Sequence, residues 1–454
     1  MNIVEAIRTG AREYLDKAAV IDGSRQFTYQ QLFHDVDERR DFLRGQDIFK
    51  YSRVALHYPD SYDYIVLSLA LLEMGAVVVP VPFNSSSDEV EDIVTKIDAH
   101  FLLSVRDNGL IIKRLTSSYN LYTDFHGLDP AFIRFSSGTT GAAKGVILSH
   151  QSIIERTDCA NEGLKISSTD NILWLLQMSY HFVVTILLFL RKGAAIVLCG
   201  DDFLRKAENA LCGQTITFIY ASPFHYEAFI GCTVFDSSFF KSLRMAVSTA
   251  MKLPDKIRSD FFIRFEKQLT EAYGIIEVGL PFINIEHIPD SVGKPLPDYS
   301  VKIERPDAVG VGRVFIKGPG MVDAYFFPFT IRKDILKDGW FDTGDLGRLD
   351  GEGNLYICGR EKSVINFAGM KIFPQEVEEV INRYDGVNES LVYALKDEQY
   401  GELPVAKIVT KENSKIDIDE LRKFCYKHLA KYKVPKAIEL VCSLEKTASG
   451  KIKR

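Results

Sequence analysis

The segment that organises this sequence is residues 135–145, Phe135-Ser136-Ser137-Gly138-Thr139-Thr140-Gly141-Ala142-Ala143-Lys144-Gly145. Its hydroxyls, glycines and lysine make a backbone that can turn tightly around an anion and donate hydrogen bonds to it. It is not a Walker loop, because Lys144 is followed by Gly145 and not by serine or threonine. A glycine-rich polar turn is also typical of an ordinary surface loop, so the segment alone leaves both interpretations open.

Length and composition restrict the class of protein. With 454 residues and 46% hydrophobic content, the chain can bury a large core and is expected to form two or more domains. A net charge of −6 with both signs mixed offers no basic surface to nucleic acid. The seven cysteines are scattered without a Cys-x-x-Cys pair, so neither a disulfide framework nor a zinc site is indicated. These features favour a reducing, cytoplasmic location, and the N-terminus lacks a secretory signal.

The one long apolar run, residues 172–190, is not expected to span a membrane. It contains Gln177, Ser179, Tyr180 and His181, and polar groups at its middle would be costly in lipid. A strand, a turn and a buried helix are predicted there instead.

Local patterns in the first part of the chain predict an α/β fold. An amphipathic helix is predicted through Tyr14, a hairpin around Asp22 and Gly23, and a capping box at Thr28 for a helix ending at Gly45. Strand, helix and strand follow over residues 54–81, which is a βαβ unit and predicts a parallel sheet. The same succession recurs after residues 172 and 216.

The later part of the chain has a different pattern. From Gly312 onwards, turn-dense segments separate short strands and predict a small antiparallel or barrel-like layer. After Arg360 a strong helix begins at Pro374, and further strands and a helix predict a compact α+β unit. We therefore expect a large domain over residues 1–360 and a small one over residues 361–454.

Five motifs together resemble the AMP-forming adenylate superfamily, which contains acyl- and aryl-CoA synthetases, peptide-synthetase adenylation domains and firefly-type luciferases. Each motif is weak alone, but all occur in the family's order and approximate spacing. They are residues 136–145 (SSGTTGAAKG), 273–277 (YGIIE), 339–345 (GWFDTGD), Gly359-Arg360 and 447–451 (TASGK).

The resemblance implies a two-step reaction. A carboxylate attacks the α-phosphate of ATP to give acyl-AMP and pyrophosphate, and a thiol then displaces AMP to give a thioester. The first step joins two anions, so the site has to neutralise charge. The loop donors that would hold the β- and γ-phosphates are Ser136, Ser137, Gly138, Thr139, Thr140, Gly141 and Lys144.

The resemblance also assigns the remaining nucleotide residues. Glu277 would hold Mg²⁺ that bridges phosphate oxygens. Asp345 would accept from the ribose hydroxyls, supported by Arg360. Either acid has a plainer alternative, a turn cap for Asp345 and a solvated carboxylate for Glu277. The adenine would contact Ser248, Thr249, Ala250, Glu271, Ala272, Tyr273 and Gly274, with the Tyr273 ring against the base and Glu271 accepting from its amino group.

The small domain would carry the mobile groups. Lys451 resembles the lysine that swings in to bind both the substrate carboxylate and the α-phosphate, although a terminal basic run is usually just solvated. Lys362 lies where the family places its hinge, and the alternative is a surface lysine on an ordinary linker. Rotation about it would withdraw Lys451 and present Gly369 and Met370 to a pantetheine channel.

Several positions depart from the family pattern. Ala143 replaces a proline, and Ile276 replaces a threonine that would contact a phosphate oxygen. Ser248-Thr249 stands where a glycine pair normally packs on adenine. Glu445 and Asn366 occupy positions where proline and lysine are common. The catalytic lysine, the metal acid and the ribose aspartate are all retained, so an active enzyme is expected.

The acid pocket is defined less clearly by the sequence. Residues 178–182 lack the aspartate that binds an amino group, so amino acids are disfavoured. His181 resembles the family's histidine gate, although a lone histidine in an apolar run is more often a core residue. Tyr220, Phe224 and His225 are candidate lining residues that suit an apolar or aromatic acid, and no dedicated arginine or lysine for a dicarboxylic acid is found.

Three hypotheses follow for the whole chain. The first is an acid–thiol ligase that uses ATP, Mg²⁺ and free coenzyme A. The second is a ligase that loads the phosphopantetheine arm of a separate carrier protein. The third is a non-catalytic nucleotide-binding homologue, which only Ile276 and Ser248-Thr249 favour.

Overall fold

The computed structural model describes residues 1–107, 109–116, 123–135, 144–199, 203–412, 414–446 and 452–453. The helices are α1 Ile3–Gly10, α2 Tyr29–Arg44, α3 Tyr62–Glu73, α4 Ser87–Lys96, α5 Thr123–Gly127, α6 His150–Leu164, α7 Met178–His181, α8 Leu187–Arg191, α9 Phe203–Gly213, α10 Pro223–Gly231, α11 Asp255–Phe265, α12 Arg332–Ile335, α13 Pro374–Asn382 and α14 Ile418–His428. Short 3₁₀ turns occur at Arg12–Tyr14, Ser237–Phe240 and Glu361–Ser363, and a π-helical turn at Phe182–Ile186.

The strands are short and numerous, as the mixture of buried apolar runs and turn residues predicts. They are β1 Ala18–Asp22, β2 Arg25–Thr28, β3 Arg53–His57, β4 Val77–Pro80, β5 Phe101–Arg106, β6 Gly109–Arg114, β7 Pro130–Phe135, β8 Gly145–Ser149, β9 Asn171–Trp174, β10 Ala195–Leu198, β11 Phe218–Ala221, β12 Met245–Ser248, β13 Leu269–Ile275, β14 Gly279–Ile283, β15 Ser300–Glu304, β16 Gly312–Lys317, β17 Ala324–Tyr325, β18 Thr330–Ile331, β19 Phe341–Leu349, β20 Leu355–Arg360, β21 Ile365–Phe367, β22 Met370–Ile372, β23 Val387–Asp397, β24 Gly401–Thr410 and β25 Ala437–Leu440.

The chain forms two compact units. The first unit comprises Met1–Ser300 and Ile316–Phe341, and the second comprises Val301–Phe315 and Asp342–Arg454. The second unit thus includes β19 and β20, which precede the predicted boundary at residue 360. The predicted hinge at Lys362 concerns motion of the small domain, and it stays a prediction.

The first unit contains two eight-stranded sheets, which confirms the predicted α/β class. Sheet I has the order β14-β13-β12-β11-β9-β10-β1-β2, and its strands from β13 to β1 pair in parallel. Sheet II has the order β18-β17-β8-β7-β4-β3-β5-β6. Its strands β3 and β4 are parallel, with Val54 opposite Val78, as the predicted βαβ unit requires.

Helices α10 and α11 and the turn that follows α10 cover one face of sheet I with aromatic side chains. Phe229, Phe240, Phe261 and Phe265 are all at most 1% exposed, and the rings of Phe240 and Phe265 lie 4.6 Å apart between centroids. Rings of this size bury much apolar area each, so this layer anchors sheet I against its helices.

Local sequence signals account for the first elements. Thr28 and Gln31 form the predicted capping box, α2 ends before Gly45, and β1 and β2 form the predicted antiparallel hairpin. The prediction of a first helix through Tyr14 is wrong, because α1 ends at Gly10. A Cβ atom at Gly10 would lie 2.2 Å from the Arg191 carbonyl oxygen, so packing against α8 governs this end of the helix.

The second unit contains two smaller sheets. One has the order β15-β16-β19-β20, with β19 antiparallel to β20, and it is the predicted small β layer. The other has the order β22-β21-β24-β23, with β25 added parallel to β24. Helices α13 and α14 bury Val377, Ile381 and Leu421 in the core of this unit, which confirms its predicted α+β character.

The apolar run over residues 172–190 forms β9, α7, the π-helical turn and most of α8, in agreement with the predicted strand, turn and helix. Among the residues described, no helix combines the length and the apolar character needed to cross a bilayer.

One buried carboxylate holds together the beginnings of three parallel strands. Asp170, which is 2% exposed, precedes β9 and accepts from Arg244 Nε at 2.7 Å and Arg244 Nη2 at 2.8 Å. It also accepts from Thr217 Oγ1 at 2.7 Å, and Thr217 and Arg244 precede β11 and β12. Burial alone would raise the pKa of Asp170, but these donors outweigh it and hold the pKa below its usual value.

Replacing Asp170 with asparagine is therefore expected to lower the free energy of unfolding by about 3 kcal/mol, because the Arg244 guanidinium loses its negatively charged partner. A lowered folded-state pKa means that the contribution is present above the unfolded pKa of about 3.9 and is lost as the pH falls below it. Urea unfolding between pH 7 and pH 3 measures both effects. The control is Asp158→Asn, because Asp158 pairs with Arg191 at 49% exposure and should contribute below about 1 kcal/mol. Equal losses in the two variants would contradict the assignment.

Candidate active site

The carboxyl ends of adjacent parallel strands in sheet I bring the predicted site segments together. Tyr220 of β11 lies opposite Trp174 of β9, and Ala221 lies opposite Ser248 of β12. Ser248 in turn lies opposite Glu271 of β13. Ligands of open α/β sheets bind beyond the carboxyl ends of the strands, so this edge is the expected position of a nucleotide and acid site.

The turn after β12 combines burial with an unusual backbone. Ser248 is fully buried, and its hydroxyl has no hydrogen-bond partner among the described residues. The Thr249 hydroxyl donates to the Ala272 carbonyl at 3.3 Å. Ala250 has φ +72°, a region where glycine is favoured and where a side chain costs about 1 kcal/mol. The structure thus keeps a strained, glycine-like turn where the sequence departs from the family's glycine pair.

The adjacent segment of β13 carries Glu271 and Tyr273. Glu271 is 5% exposed, accepts from the Leu253 N–H at 3.1 Å, and pairs with Arg258 Nη2 at 3.2 Å. Burial raises the pKa of Glu271, and these donors oppose the shift. Both carboxylate oxygens are engaged within the protein, while Tyr273 is half-buried with its ring edge-to-face to Phe282. The predicted contact of Glu271 with the adenine amino group stays a prediction.

Glu277 lies in the turn between β13 and β14, where the backbone is fixed on both sides. The Val322 N–H donates to the Glu277 carbonyl at 2.7 Å, and Arg156 Nη1 donates to the Ile276 carbonyl at 3.0 Å. Arg156 is fully buried, and its Nε donates to the Gly320 carbonyl at 2.9 Å. This arrangement fixes the backbone that carries the half-buried Glu277 side chain, which suits a metal ligand.

Three aromatic rings meet above the ends of β9 and β11. Trp174 stacks on Tyr220 with centroids 5.9 Å apart, and His181 approaches each of these rings edge-on at 6.5 Å. Burial raises the pKa of Tyr220 to about 12, so the phenol is neutral. The Trp174 Nε1 is buried and has no acceptor among the described residues. Two predicted pocket residues, His181 and Tyr220, are thus brought together, and Trp174 joins them.

The other two predicted pocket residues lie at the start of α10. Phe224 is 61% exposed, and its ring and the His225 ring both contact Phe203. The His225 Nδ1 lies 2.8 Å from the Ser222 hydroxyl, within the cap of this helix. Burial lowers the pKa of His225 to about 4, so the ring is neutral at pH 7. These contacts assign His225 a local capping role, and its place in an acid pocket stays a prediction.

The segment that carries His181 is anchored at its beginning and irregular at its end. The Met178 N–H donates to both carboxylate oxygens of Asp60 at 3.1 Å, and the Thr185 hydroxyl donates to the His181 carbonyl. The π-helical turn Phe182–Ile186 follows directly. Turns of this kind occur frequently at functional sites, and this one re-aims the chain after His181.

Among the residues of the predicted phosphate loop, Lys144 is the one that carries a charge and lies within the described part of the chain. Its ammonium group is 4.5 Å from the centroid of the Tyr325 ring. Ser136, Ser137, Gly138, Thr139, Thr140 and Gly141 lie outside the described residues, and so does Lys451.

In the second unit, Asp345 and Arg360 form an ion pair. The two residues face each other across β19 and β20, and Arg360 Nε lies 2.8 Å from Asp345 Oδ1. Arg360 Nη1 also donates to the Thr343 carbonyl at 2.8 Å. Asp345 is 4% exposed, and its carboxylate is oriented by the paired guanidinium.

The predicted hinge and thiol residues lie close together along the second unit. Lys362 is exposed in the 3₁₀ turn Glu361–Ser363. Ala368 (φ +47°) and Gly369 (φ +82°) form the two-residue turn of the hairpin between β21 and β22, followed by Met370. Positive φ at both turn positions matches the twist of a tight hairpin, so the tip has one defined conformation.

Comparison with known proteins decides the family. The model described as AMP-binding enzyme matches residues 7–326, and the model of the AMP-binding enzyme C-terminal domain matches residues 376–451. The chain belongs to the AMP-binding enzyme family. The predicted resemblance to the AMP-forming adenylate superfamily is confirmed, and so is the prediction of an AMP-forming acid–thiol ligase.

Relatives of this AMP-binding enzyme align over nearly their whole length. A long-chain-fatty-acid–CoA ligase from Yersinia pestis is 27% identical over 100% of this chain and 93% of its own. A feruloyl-CoA synthase from Amycolatopsis is 26% identical over 96% and 94%. Among solved structures, ATP-bound MatB from Rhodopseudomonas palustris has a TM-score of 0.87 at 21% identity, over 100% of this chain and 97% of its own. The likeness to MatB supports the fold.

Two residues of this AMP-binding enzyme were missed by the sequence analysis. Trp174 was placed in a predicted strand without a role, although it ends a strand at the ligand edge of sheet I. Arg156 lies in the middle of α6 without any motif, and its buried guanidinium joins the Glu277 turn to Gly320. The position of Trp174 at a strand end could have revealed it from the sequence, but only long-range packing reveals Arg156.

Proposed function

We propose that this AMP-binding enzyme activates an aromatic or apolar carboxylic acid with ATP, forming acyl-AMP and pyrophosphate, and transfers the acyl group to coenzyme A. The observation that carries the proposal is the edge of sheet I. There the carboxyl ends of four adjacent parallel strands bring Trp174 and Tyr220 beside the segments around Ser248 and Glu271. An apolar aromatic wall beside a nucleotide segment suits the joining of an acid to AMP.

The first step requires positive charge around two reacting anions. Lys144 is exposed beside the predicted loop and would contact the phosphates of ATP, while Lys451 would bridge the carboxylate and the α-phosphate. Glu277 fits Mg²⁺, because its half-buried carboxylate is held by a fixed backbone and magnesium needs one or two carboxylates besides phosphate oxygens. Bound Mg²⁺ would neutralise charge on the phosphates.

The family motifs assign Tyr273 and Asp345 to the nucleoside. Tyr273 offers a half-buried ring for the adenine. The strained turn at Ala250 would let the backbone approach the base closely. Asp345 offers carboxylate acceptors for the two ribose hydroxyls, with Arg360 fixing their direction. The ion pair with Arg360 favours the ribose function of Asp345 over a turn cap.

The aromatic cluster supports the substrate class. Trp174, Tyr220 and His181 present ring faces and edges with no carboxylate among them, and Tyr220 is neutral. Aromatic or extended apolar acids would pack on such surfaces. A long-chain fatty acid and ferulate are the acids named in two relatives' descriptions, and both are of this kind. His181, anchored through Asp60, would close over the carboxylate during the first step.

The acceptor is proposed to be the thiol of coenzyme A. Gly369 and Met370 lie in and directly after a defined hairpin turn and would flank the pantetheine chain, and the two relatives are described as a CoA ligase and a CoA synthase. The predicted small domain over residues 361–454 would rotate about Lys362 between the two steps, exchanging Lys451 for this hairpin.

Proline at position 362 is expected to depress one half-reaction far more than the other, because it fixes φ and removes a backbone N–H at the proposed hinge. Acyl-AMP formation and thioester formation from preformed acyl-AMP are measured separately by rapid quench. Lys362→Ala is the matched control and should change neither step by more than a few-fold. Similar losses in both half-reactions of Lys362→Pro would favour an ordinary linker.

The test of the proposed function is a product analysis by mass spectrometry. The enzyme is supplied with MgATP, a panel of ferulate, benzoate, octanoate and amino acids, and either coenzyme A or a pantetheinylated carrier protein. The expected product is the CoA thioester of an aromatic or fatty acid. Acylation of the carrier protein alone would replace the acceptor, and thioester formation with amino acids alone would overturn the substrate class.

A further inference from the structure

Arg134 is the residue on which this inference rests. It lies on β7 opposite Val146, two residues before the predicted phosphate loop begins at Ser136. Its guanidinium carbon is 5.3 Å from the centroid of the Tyr180 ring, and Tyr180 precedes His181. The side chain is half-buried, and its Nε is shielded from water without an acceptor among the described residues.

Charges near Arg134 do not neutralise it by contact. Burial lowers the pKa of Arg134 to about 10, and electrostatic interactions with Tyr180 and Glu277 oppose that shift. The guanidinium is therefore protonated at pH 7, yet within the described ranges it forms no ion pair. A charged group with a nitrogen shielded from water and without an acceptor is costly, and such a group calls for an explanation.

Three other buried or half-buried arginines of the first unit have structural roles that Arg134 lacks. Arg156 donates to the carbonyls of Gly320 and Ile276, and Arg53 donates to the carbonyls of Ile97 and Asp98. Arg264 donates to three carbonyls that follow α10 or end it. These residues join backbone segments. The Arg134 guanidinium instead contacts the Tyr180 ring, and its Nε has no acceptor among the described residues.

We propose that Arg134 binds an anionic oxygen group of a ligand at the activation site, either a phosphate of ATP or a carboxylate of the acid. The guanidinium lies over the ring of Tyr180, the residue before the proposed gate His181, and the proposed metal ligand Glu277 favours its charged form. Both anions of the first step are proposed to bind near these residues, and the planar fork of a guanidinium suits both. This inference rests on the proposed function and adds a binding residue to it. It also supplies the fixed cation that the sequence analysis did not find near the acid pocket.

The test compares wild type, Arg134→Met and Arg134→Lys by calorimetric titration with MgATP alone, and with ferulate, octanoate and malonate in turn. We expect Arg134→Met to bind one of these ligands about tenfold or more weakly, with partial recovery in Arg134→Lys. Weaker binding of MgATP identifies a phosphate contact. Weaker binding of an acid identifies a carboxylate contact, and a loss confined to malonate identifies a second carboxylate.

Thermal unfolding without ligand separates binding from a structural role. Because Arg134→Met removes an uncompensated cation, its unfolding temperature should equal or exceed that of the wild type. The control is Arg25→Met, which removes a guanidinium 5.4 Å from Phe27 at 68% exposure and should leave ligand binding unchanged. Unchanged affinities in Arg134→Met, or a lowered unfolding temperature, would overturn the inference while the wild type still binds. A wild type that binds neither ATP nor any acid would instead overturn the proposed function, and this inference with it.

Discussion

Replacing Lys451 with alanine is expected to lower the rate of acyl-AMP formation by about a hundredfold or more, because the substitution removes a positioned cation from the charge that develops as two anions join. Thioester formation from preformed acyl-AMP should stay within a few-fold of the wild-type rate, since the α-phosphate bond is already made. The two rates are measured separately with isolated acyl-AMP. Lys451 lies outside the described residues, so this expectation comes from the motif at residues 447–451.

Lys453 provides the control for this experiment. It belongs to the same basic run, its side chain is 58% exposed, and its ammonium group lies 4.0 Å from Glu445. Lys453→Ala should leave both half-reactions unchanged, because an exposed pair contributes little. Equal loss of both half-reactions in Lys451→Ala would refute the assignment, as would equal effects of the two substitutions.

Replacing Asp345 with alanine is expected to weaken ATP binding by about tenfold to a hundredfold. The substitution removes charged acceptors for two hydroxyl groups, and hydrogen bonds to charged groups are worth about 1.5–3 kcal/mol each. Arg360 would also lose the partner that orients it. Equilibrium titration with ATP and with 2′-deoxy-ATP measures the effect, and the preference for the ribose 2′-hydroxyl should disappear in the variant.

A neighbouring carboxylate separates ribose binding from strand stability. Asp342 lies on the same strand and pairs with Arg313, and Asp342→Asn disturbs a comparable ion pair. Its affinity for ATP should remain near that of the wild type. If Asp345→Ala lowered the unfolding temperature but left both nucleotide affinities unchanged, Asp345 would be a structural residue of β19 and not a ribose ligand.

Features set by neighbours in sequence were predictable. The capping box at Thr28 and the turn at Asp22-Gly23 depend on residues within a few positions, and the βαβ unit over residues 54–81 joins elements that follow one another directly along the chain. All three are confirmed. The family motif places Asp345 and Arg360 on the same sugar, and the structure pairs the two residues across β19 and β20. The chemistry of the ligase could be inferred because its motifs keep their order along the chain.

Features set by distant contacts were not predictable. The end of α1 depends on the close approach of Gly10 to the Arg191 carbonyl. The Trp174 stack depends on β9 and β11 being neighbours in sheet I. The environments of Arg134 and Arg156 depend on the turn around Glu277, more than a hundred positions further along the chain. No local pattern encodes these distances, so the sequence suggested the reaction class and the rings of His181 and Tyr220, but not Trp174 or the two arginines.

Acid-dependent exchange of labelled pyrophosphate into ATP is the most direct test of the central claim, because it measures the reversible first half-reaction without any thiol acceptor. The enzyme is incubated with MgATP, labelled pyrophosphate and one acid at a time, from aromatic, fatty, dicarboxylic and amino acids. The account predicts exchange that depends on an aromatic or fatty acid and is lost in Lys451→Ala. Absence of exchange with every acid, while ATP still binds, would contradict the account and favour a non-catalytic nucleotide-binding protein.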